Sequence, residues 1–454
     1  MVFRRISYAG NASREERAEM AGTAAGPCRR ETVLAVVLWV IAVGGAGYLA
    51  YRRYKGLVAV TPFDLGHTGG DFWGFLHSAR EVAAGRSPYA QAGYFKGFYV
   101  YSPLVALSLA PFVHASTLHL WEVWTALSLT ALVIFGGLVT VGESSRLRSW
   151  RVPLLFGIAV VTILQFGQTW IELYYGNTDP LVLVLLAIAI LALGAGWTTI
   201  SGVLLGVTGL VKTWPAAAGL VAFRRGFKGR SRVLLGLVST MIFGPVLAAA
   251  LGGASGCLDF FRATFAAHNQ YELDYSVWST PFQLFTRSGL ARPLIVSPLL
   301  RYVATAILAL WVIGLLALIL HWSDSSSLAF WNAMACVVLL LPVSHSDYTL
   351  FLLPILWIWV ARWLERPGLE GLVVVVTACL VAWWVISRKD WYYGSNAESA
   401  LRISVVFFAN LAAVSVSVFG DHLQRLMSSA GLSTSGQSQP HSENPALELL
   451  GVAQ

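Results

Sequence analysis

Long stretches without a single charge constrain this chain more than anything else in it. Val33–Ala50 is an uncharged apolar run, and Ala329–Val343 and Ile403–Gly420 repeat the pattern. Inside a bilayer no water satisfies backbone N–H and C=O groups, so such runs cross as helices of roughly 20 residues. Charged residues make up 12% of the 454, against about 25% in soluble domains. That is too little polar surface for a globule in water. The expected fold is an all-α integral membrane protein, a polytopic bundle of about 10–12 transmembrane or re-entrant helices. The run at Val33 exceeds the ~7–15 residue core of a cleaved signal peptide, so it reads as a retained anchor.

Spans are expected near 33–50, 120–141, 152–166, 178–196, 233–252, 300–321, 328–342, 349–362, 371–387 and 403–420. Thr198–Phe223 is apolar but interrupted at Lys212-Thr213-Trp214-Pro215. Proline breaks a helix, and a lysine at membrane depth is costly unless it serves a cavity. This segment reads as two half-helices that enter and return on one side. The polar residues 1–31 are expected to be a disordered cytoplasmic N-terminus, 32–420 the membrane domain, and 421–454 a disordered cytoplasmic tail. The tail's last part is rich in Ser, Gly, Gln and Pro and cannot bury a core.

The net charge of +8 does not point to nucleic acid, because the basic residues sit in short blocks between apolar runs. Such blocks set topology. Arg146, Arg148 and Arg151 form one, Arg224, Arg225, Lys228, Arg230 and Arg232 a second, Arg362 and Arg366 a third. The spans put all three on one side with both termini, the cytoplasmic side of a plasma or inner membrane. Arg52, Arg53 and Lys55 break the rule, since they follow the first span and fall outside. Cys28, Cys257, Cys336 and Cys379 show no metal or disulfide spacing. Neither a metal nor a cofactor is expected.

The outer segments hold most of the unusual polar residues: Asp64, His67, Asp71, Gln168, Glu172, Asn177, Asp179, His268, Asn269, Gln270, Asp274, His345 and Asp347. Asp71 precedes a helical stretch and suits a helix cap or a catalytic carboxylate. Gly85-Arg86-Ser87-Pro88-Tyr89 ends that stretch as a turn, with Tyr89 free to face solvent or a sugar. Gln168 and Asn177 are neutral amides suited to hydroxyl-rich ligands, and Asn177-Thr178-Asp179-Pro180 is also an ordinary cap and turn. Lys212 beside broken helix ends suits an anion such as phosphate. The short Ser344-His345-Ser346-Asp347-Tyr348 loop puts His, Asp and Tyr at the outer surface. A transporter or lipid-linked sugar flippase would use a broken helix and a lysine equally well. No internal repeat supports that reading, and the polar groups lie in loops.

In order along the chain, Asp71-Phe72, Gly85-Arg86-Ser87-Pro88-Tyr89, Tyr101-Ser102-Pro103, Gly176-Asn177-Thr178-Asp179, Lys212-Thr213-Trp214-Pro215 and His268-Asn269-Gln270 resemble the motifs of glycosyltransferase family 87. The resemblance covers roughly 33–420. It implies a GT-C fold and transfer of a hexose, mannose above all, from a polyprenyl-phosphate donor to a lipid or glycan hydroxyl on the extracytoplasmic face, with inversion. The lipid-linked donor and a glycolipid or glycan acceptor are the implied partners. The family's first-loop acid maps onto Asp71 as catalytic base. Tyr89, Tyr101, Gln168, Asn177, Asp179, Lys212, His268, Asn269, Gln270, His345 and Asp347 are the implied substrate contacts. The Ser344–Tyr348 order departs from the family's Ser-Trp-x-His-type loop.

Overall fold

A computed structural model of the protein describes residues 29–59, 70–90, 99, 101–252, 258–260, 262–263, 274–287, 292–323, 326–365, 371, 373 and 400–429. The described residues are helical, with an isolated bridge at Arg292 and no strand. The protein is a multi-pass membrane protein. Six described helices are long and apolar enough to cross a bilayer, or seven if a bent pair forms one span. The long ones include α1 (Arg29–Ala59), α4 (Thr117–Glu143), α9 (Arg230–Gly252), α11 (Pro298–Trp322) and α14 (Ala400–Ser429). Their outer faces expose Val40, Ile242, Phe243, Leu299 and Leu310. An apolar rim on this scale belongs against lipid rather than water.

Shorter helices fill the inside. α12 (Ser326–Leu340) is buried around its whole circumference, and Leu328, Trp331, Met334 and Leu339 are fully enclosed. A helix apolar on every side belongs at the centre of a bundle. It packs on α11, α14, α13 (Leu353–Glu365) and α7 (Asp179–Gly194). Phe135 of α4 meets Trp331 and Trp357 edge-on or tilted, with centroids 5.6 and 5.4 Å apart. Two of the buried indoles find partners for their N–H: Trp357 donates to Thr162 Oγ1 at 2.8 Å and Trp359 to Ser417 Oγ at 2.8 Å. The spans expected at 178–196 and 328–342 are therefore helices of 16 and 15 residues, shorter than the roughly 20 a lone span needs. Enclosed by other helices, they need not match the bilayer. The span expected at 371–387 lies outside the described residues apart from positions 371 and 373.

The segment read as two half-helices is α8 (Thr198–Val211) followed by a 3₁₀ segment, Trp214–Phe223. Lys212 is extended (φ −144, ψ 117) and terminates α8. Pro215 explains the stop, since its ring would strike the carbonyl four residues back and it has no N–H to donate. Thr198 lies against Gly229, and Arg230 Nε donates to the Ala222 carbonyl at 3.2 Å. The segment thus begins and ends at one end of the bundle and turns at Lys212 at the other. Against it runs α9 in close contact. A Cβ on Gly202 would overlap the Val233 carbonyl oxygen, and one on Gly236 the Thr199 carbonyl. Small residues let these two backbones approach.

The three basic blocks gather at one end. The Arg151 guanidinium donates to the Leu364 carbonyl, Arg225 N to Leu320 O at 2.8 Å, and Arg362 pairs with Asp421 at 2.9 Å. At the opposite end the chain is broken repeatedly. α5 (Arg151–Gln165) bends by 60° into α6 (Gly167–Tyr175) at Phe166. The stretch 167–177, expected as a loop, is mostly helix. Its polar residues Gln168, Thr169 and Glu172 are buried one helical turn apart with Leu173, so a polar composition concealed a helix facing inward.

Candidate active site

The broken end of the bundle is built around Gly176. This residue closes α6 in the left-handed region, φ 69, and its N–H returns to the Glu172 carbonyl. A Cβ there would lie 2.7 Å from the Trp121 ring and 2.8 Å from Phe72 Cβ. Only glycine satisfies both the backbone and the space. The contact also fixes where α2 (Gly70–Ala83) begins: Gly70 faces the Tyr175 ring and Phe72 packs on Gly176. Asp71, between them, occupies the first turn of α2. There the helix dipole favours a carboxylate.

Asn177 follows. Its Oδ1 accepts from Thr178 N at 2.7 Å, from the Tyr101 hydroxyl at 3.0 Å and from Lys212 Nζ at 3.5 Å. Lys212 Nζ stands 2.6 Å from Asp179 Oδ1, with Asp179 fully buried and Lys212 8% exposed. Glu172 Oε1 accepts from Asp179 N at 3.3 Å. Below the ammonium lies the Tyr348 ring, 4.3 Å to its centroid. Trp214 and Phe351 back that ring. Lysine carries three N–H donors, and here an acid, an amide and an aromatic face surround them. Lys212 is therefore one half of a buried ion pair rather than a bare cation awaiting an anion.

Tyr101 closes one wall. Phe75 meets it edge-on at 4.8 Å, and the Tyr89 hydroxyl donates to its carbonyl. Desolvation pushes the Tyr101 phenol well above its ordinary value. The Lys212 charge pulls against that shift, while Asp71, Tyr348 and Asp179 add to it. Tyr101 is thus a neutral donor, and Asp71 lies close enough to act on it electrostatically. On the far side His345 Nδ1 sits 2.9 Å from Asp274 Oδ1, the acid fully buried and the imidazole one-third exposed. The buried carboxylate holds Nδ1 of the ring at its side, and a protonated imidazole forms an ion pair with it. The His345 and Tyr348 rings are 5.7 Å apart, so this dyad adjoins the lysine pair. Tyr275 N donates to Ser344 O at 2.7 Å, clipping the two strands of chain together.

The match to a family model runs over residues 99–344, more than half of the chain, and that family is glycosyltransferase family 87. The chain belongs to glycosyltransferase family 87. Comparison with curated proteins gives no match. The protein is a membrane glycosyltransferase, an enzyme with a sugar donor and an acceptor as its partners.

In this glycosyltransferase Asp71, Tyr101, Asn177, Asp179, Lys212 and His345 converge at one end of the bundle. Gln168 is buried on α6, and its side-chain oxygen has no partner among the described residues. Tyr89 supports Tyr101 from behind. His268, Asn269 and Gln270 lie outside the described residues, as do Asp64 and His67, and so does the Asp347 side chain. Three residues unassigned from sequence belong to the cluster: Glu172, Asp274 and Tyr348. No spacing marks Asp274 as the partner of His345, which is distant in the chain. Glu172 could have been found from its helical register with Gln168 and Thr169.

Proposed function

We propose that this glycosyltransferase moves a hexose, mannose first among candidates, from a polyprenyl-phosphate donor to a hydroxyl of a glycolipid or glycan, with inversion. Asp71 accepts the proton of the acceptor hydroxyl as that oxygen bonds to the anomeric carbon. The bond from that carbon to the phosphate oxygen breaks, and polyprenyl phosphate leaves. No cofactor is required by this balance. The observation that carries the reading is the junction of α2 with the Gly176–Asn177 turn, which brings Asp71 near Tyr101, whose hydroxyl bonds Asn177 next to the Lys212–Asp179 pair. General-base help of this kind contributes about 10²–10⁴-fold.

The other groups divide by their surroundings. His345, oriented by Asp274, supplies Nε2–H to the departing phosphate as an imidazolium. Lys212 contributes a positive field at the same place, but its contacts with Asp179 and Asn177 suit it better to holding those side chains. Tyr101, Gln168, Asn177 and the Asn269-Gln270 pair suit sugar hydroxyls. The site faces the extracytoplasmic side, and the basic loops and both termini face the cytoplasm of a plasma or inner membrane. Residues 32–420 act as one GT-C-like catalytic domain.

The test is transfer by purified protein in nanodiscs, with a panel of polyprenyl-phosphate sugars and envelope lipid extract, comparing the native chain with Asp71→Asn. Transfer by the native chain alone supports Asp71 as base. Equal transfer by a folded variant rejects it.

A further inference from the structure

A second basic feature lies outside this site. Arg52 and Arg53 follow the uncharged run of α1, where the helix leaves the apolar layer. Glu31, at the start of α1, is 3.9 Å from Arg148 in the basic loop before α5. At its other end Arg53 Nε donates to the Leu164 carbonyl at 2.8 Å, beside the α5–α6 bend. The arginines therefore sit on the face opposite the basic loops, against the usual distribution of positive charge. Neither forms an ion pair among the described residues.

The bend accounts for Arg53 in part, because it interrupts the hydrogen-bond ladder near Leu164, whose carbonyl Arg53 takes. It does not account for Arg52, which is exposed beside it. The two guanidinium groups, with Leu49, Gln165 and Trp170, line a cavity of about 180 Å³. Trp170 forms one wall, lying 5.4 Å from the Arg53 guanidinium and packing on α1 at Gly56. With Nε taken by Leu164, Arg53 has its two terminal nitrogens for a further acceptor. A planar fork of this kind fits phosphate oxygens two at a time. The anion present at this depth of a bilayer is lipid phosphate, and basic pockets between helices bind such groups. An indole at the same level suits the interface.

We propose that Arg52, Arg53, Gln165 and Trp170 bind the phosphate of a membrane lipid, in a pocket separated from the reaction centre by α6. One face of that helix carries Trp170 toward α1. The other carries Glu172 toward Asp179. Carrier lipid and bulk phospholipid share this chemistry, and the lipid is read by binding alone, so the proposal stands or falls apart from sugar transfer.

The experiment is native mass spectrometry of the whole detergent-solubilised protein, titrated separately with a polyprenyl phosphate, with phosphatidylglycerol and with a diacylglycerol lacking phosphate. The native chain is compared with Arg52→Gln and with the double variant Arg52→Gln/Arg53→Gln. The expected result is an about tenfold loss of a phosphate lipid in the double variant, the scale of one lost charge-assisted hydrogen bond. Diacylglycerol binding stays unchanged. Loss confined to polyprenyl phosphate names the carrier as ligand, and loss that includes phosphatidylglycerol names bulk lipid. Arg52→Gln leaves the Arg53–Leu164 bond intact, so it carries the test if the double variant fails to fold. Unchanged phosphate-lipid binding in folded variants overturns the proposal, and so does an equal loss of diacylglycerol.

Discussion

The two ends of the bundle each hold an ion pair, and the pairs are built differently. At the basic end Arg362 meets Asp421 at 2.9 Å, also bonds Gln424 Oε1 at 3.0 Å, and lies over the Trp359 ring. Ser323 donates to the other Asp421 oxygen at 3.0 Å. These groups project from the helices α13 and α14 and the end of α11. At the broken end Lys212 meets Asp179 at 2.6 Å, but Lys212 is where a helix stops and Asp179 is where one starts. Around it stand Tyr101, Asn177 and Asp71, carried by turns and a first turn, and Glu172 from the short helix α6. The first pair ties helices together, with both Asp421 oxygens and one Arg362 nitrogen engaged by neighbours. The second sits where regular structure has been given up, which is where side chains can converge on something that is not protein.

The sharpest way to break this comparison is Asp71→Asn. The change preserves shape, so the melting temperature should hold while transfer falls about 10²–10⁴-fold. A matching loss of stability would make Asp71 part of the scaffold. Next comes Lys212→Met. It leaves Asp179 charged and buried without its cation, at a cost of about 3–5 kcal/mol. Chemical denaturation in detergent measures it. Adding Asp179→Leu should restore much of the stability but none of the transfer. Arg362→Met should destabilise less, because its pair is partly exposed, and should leave transfer per folded molecule unchanged. Transfer lost equally from both ends would erase the distinction drawn here.

Much of this arrangement was legible in the chain. Uncharged runs marked the long helices, because lipid leaves no other place for them. Lys212 with Pro215 marked the reversal at α8, and the reason is local: proline and a charge in an apolar run. Hidden were the contacts between distant segments. Asn177 looked like a turn residue and is one; its Oδ1 also receives Tyr101 and Lys212. Nothing near His345 announces Asp274. α6 was missed because its buried face is polar, so hydropathy read it as loop. The short interior helices were overextended because length rules for spans assume contact with lipid. Arg52 and Arg53 stood out only as an exception to topology, and the cavity beside them gives that exception a use.

The seam between α8 and α9 offers a smaller and more mechanical test. Gly202 and Gly236 let the two backbones touch, and this contact fixes the height at which α8 delivers Lys212. Gly202→Ala should cost about 1–3 kcal/mol by overpacking. It should lower transfer more than an equally destabilising change beside Arg362, because it displaces the helix that carries the site lysine.

The least disruptive probe is the ring beneath that lysine. Tyr348→Phe keeps the aromatic face 4.3 Å from Nζ and its packing on Trp214 and Phe351. Tyr348→Leu removes the face while leaving an apolar side chain. A desolvated cation–π contact is worth about 2 kcal/mol, so the leucine variant should lose about that much stability and the phenylalanine variant far less. If both lose it equally, the hydroxyl rather than the ring is what the site uses. Lys212 would then be held by its oxygen partners alone, as Arg362 is held chiefly by Asp421 and Gln424, and the two ends of the bundle would be closer in design than their geometry indicates.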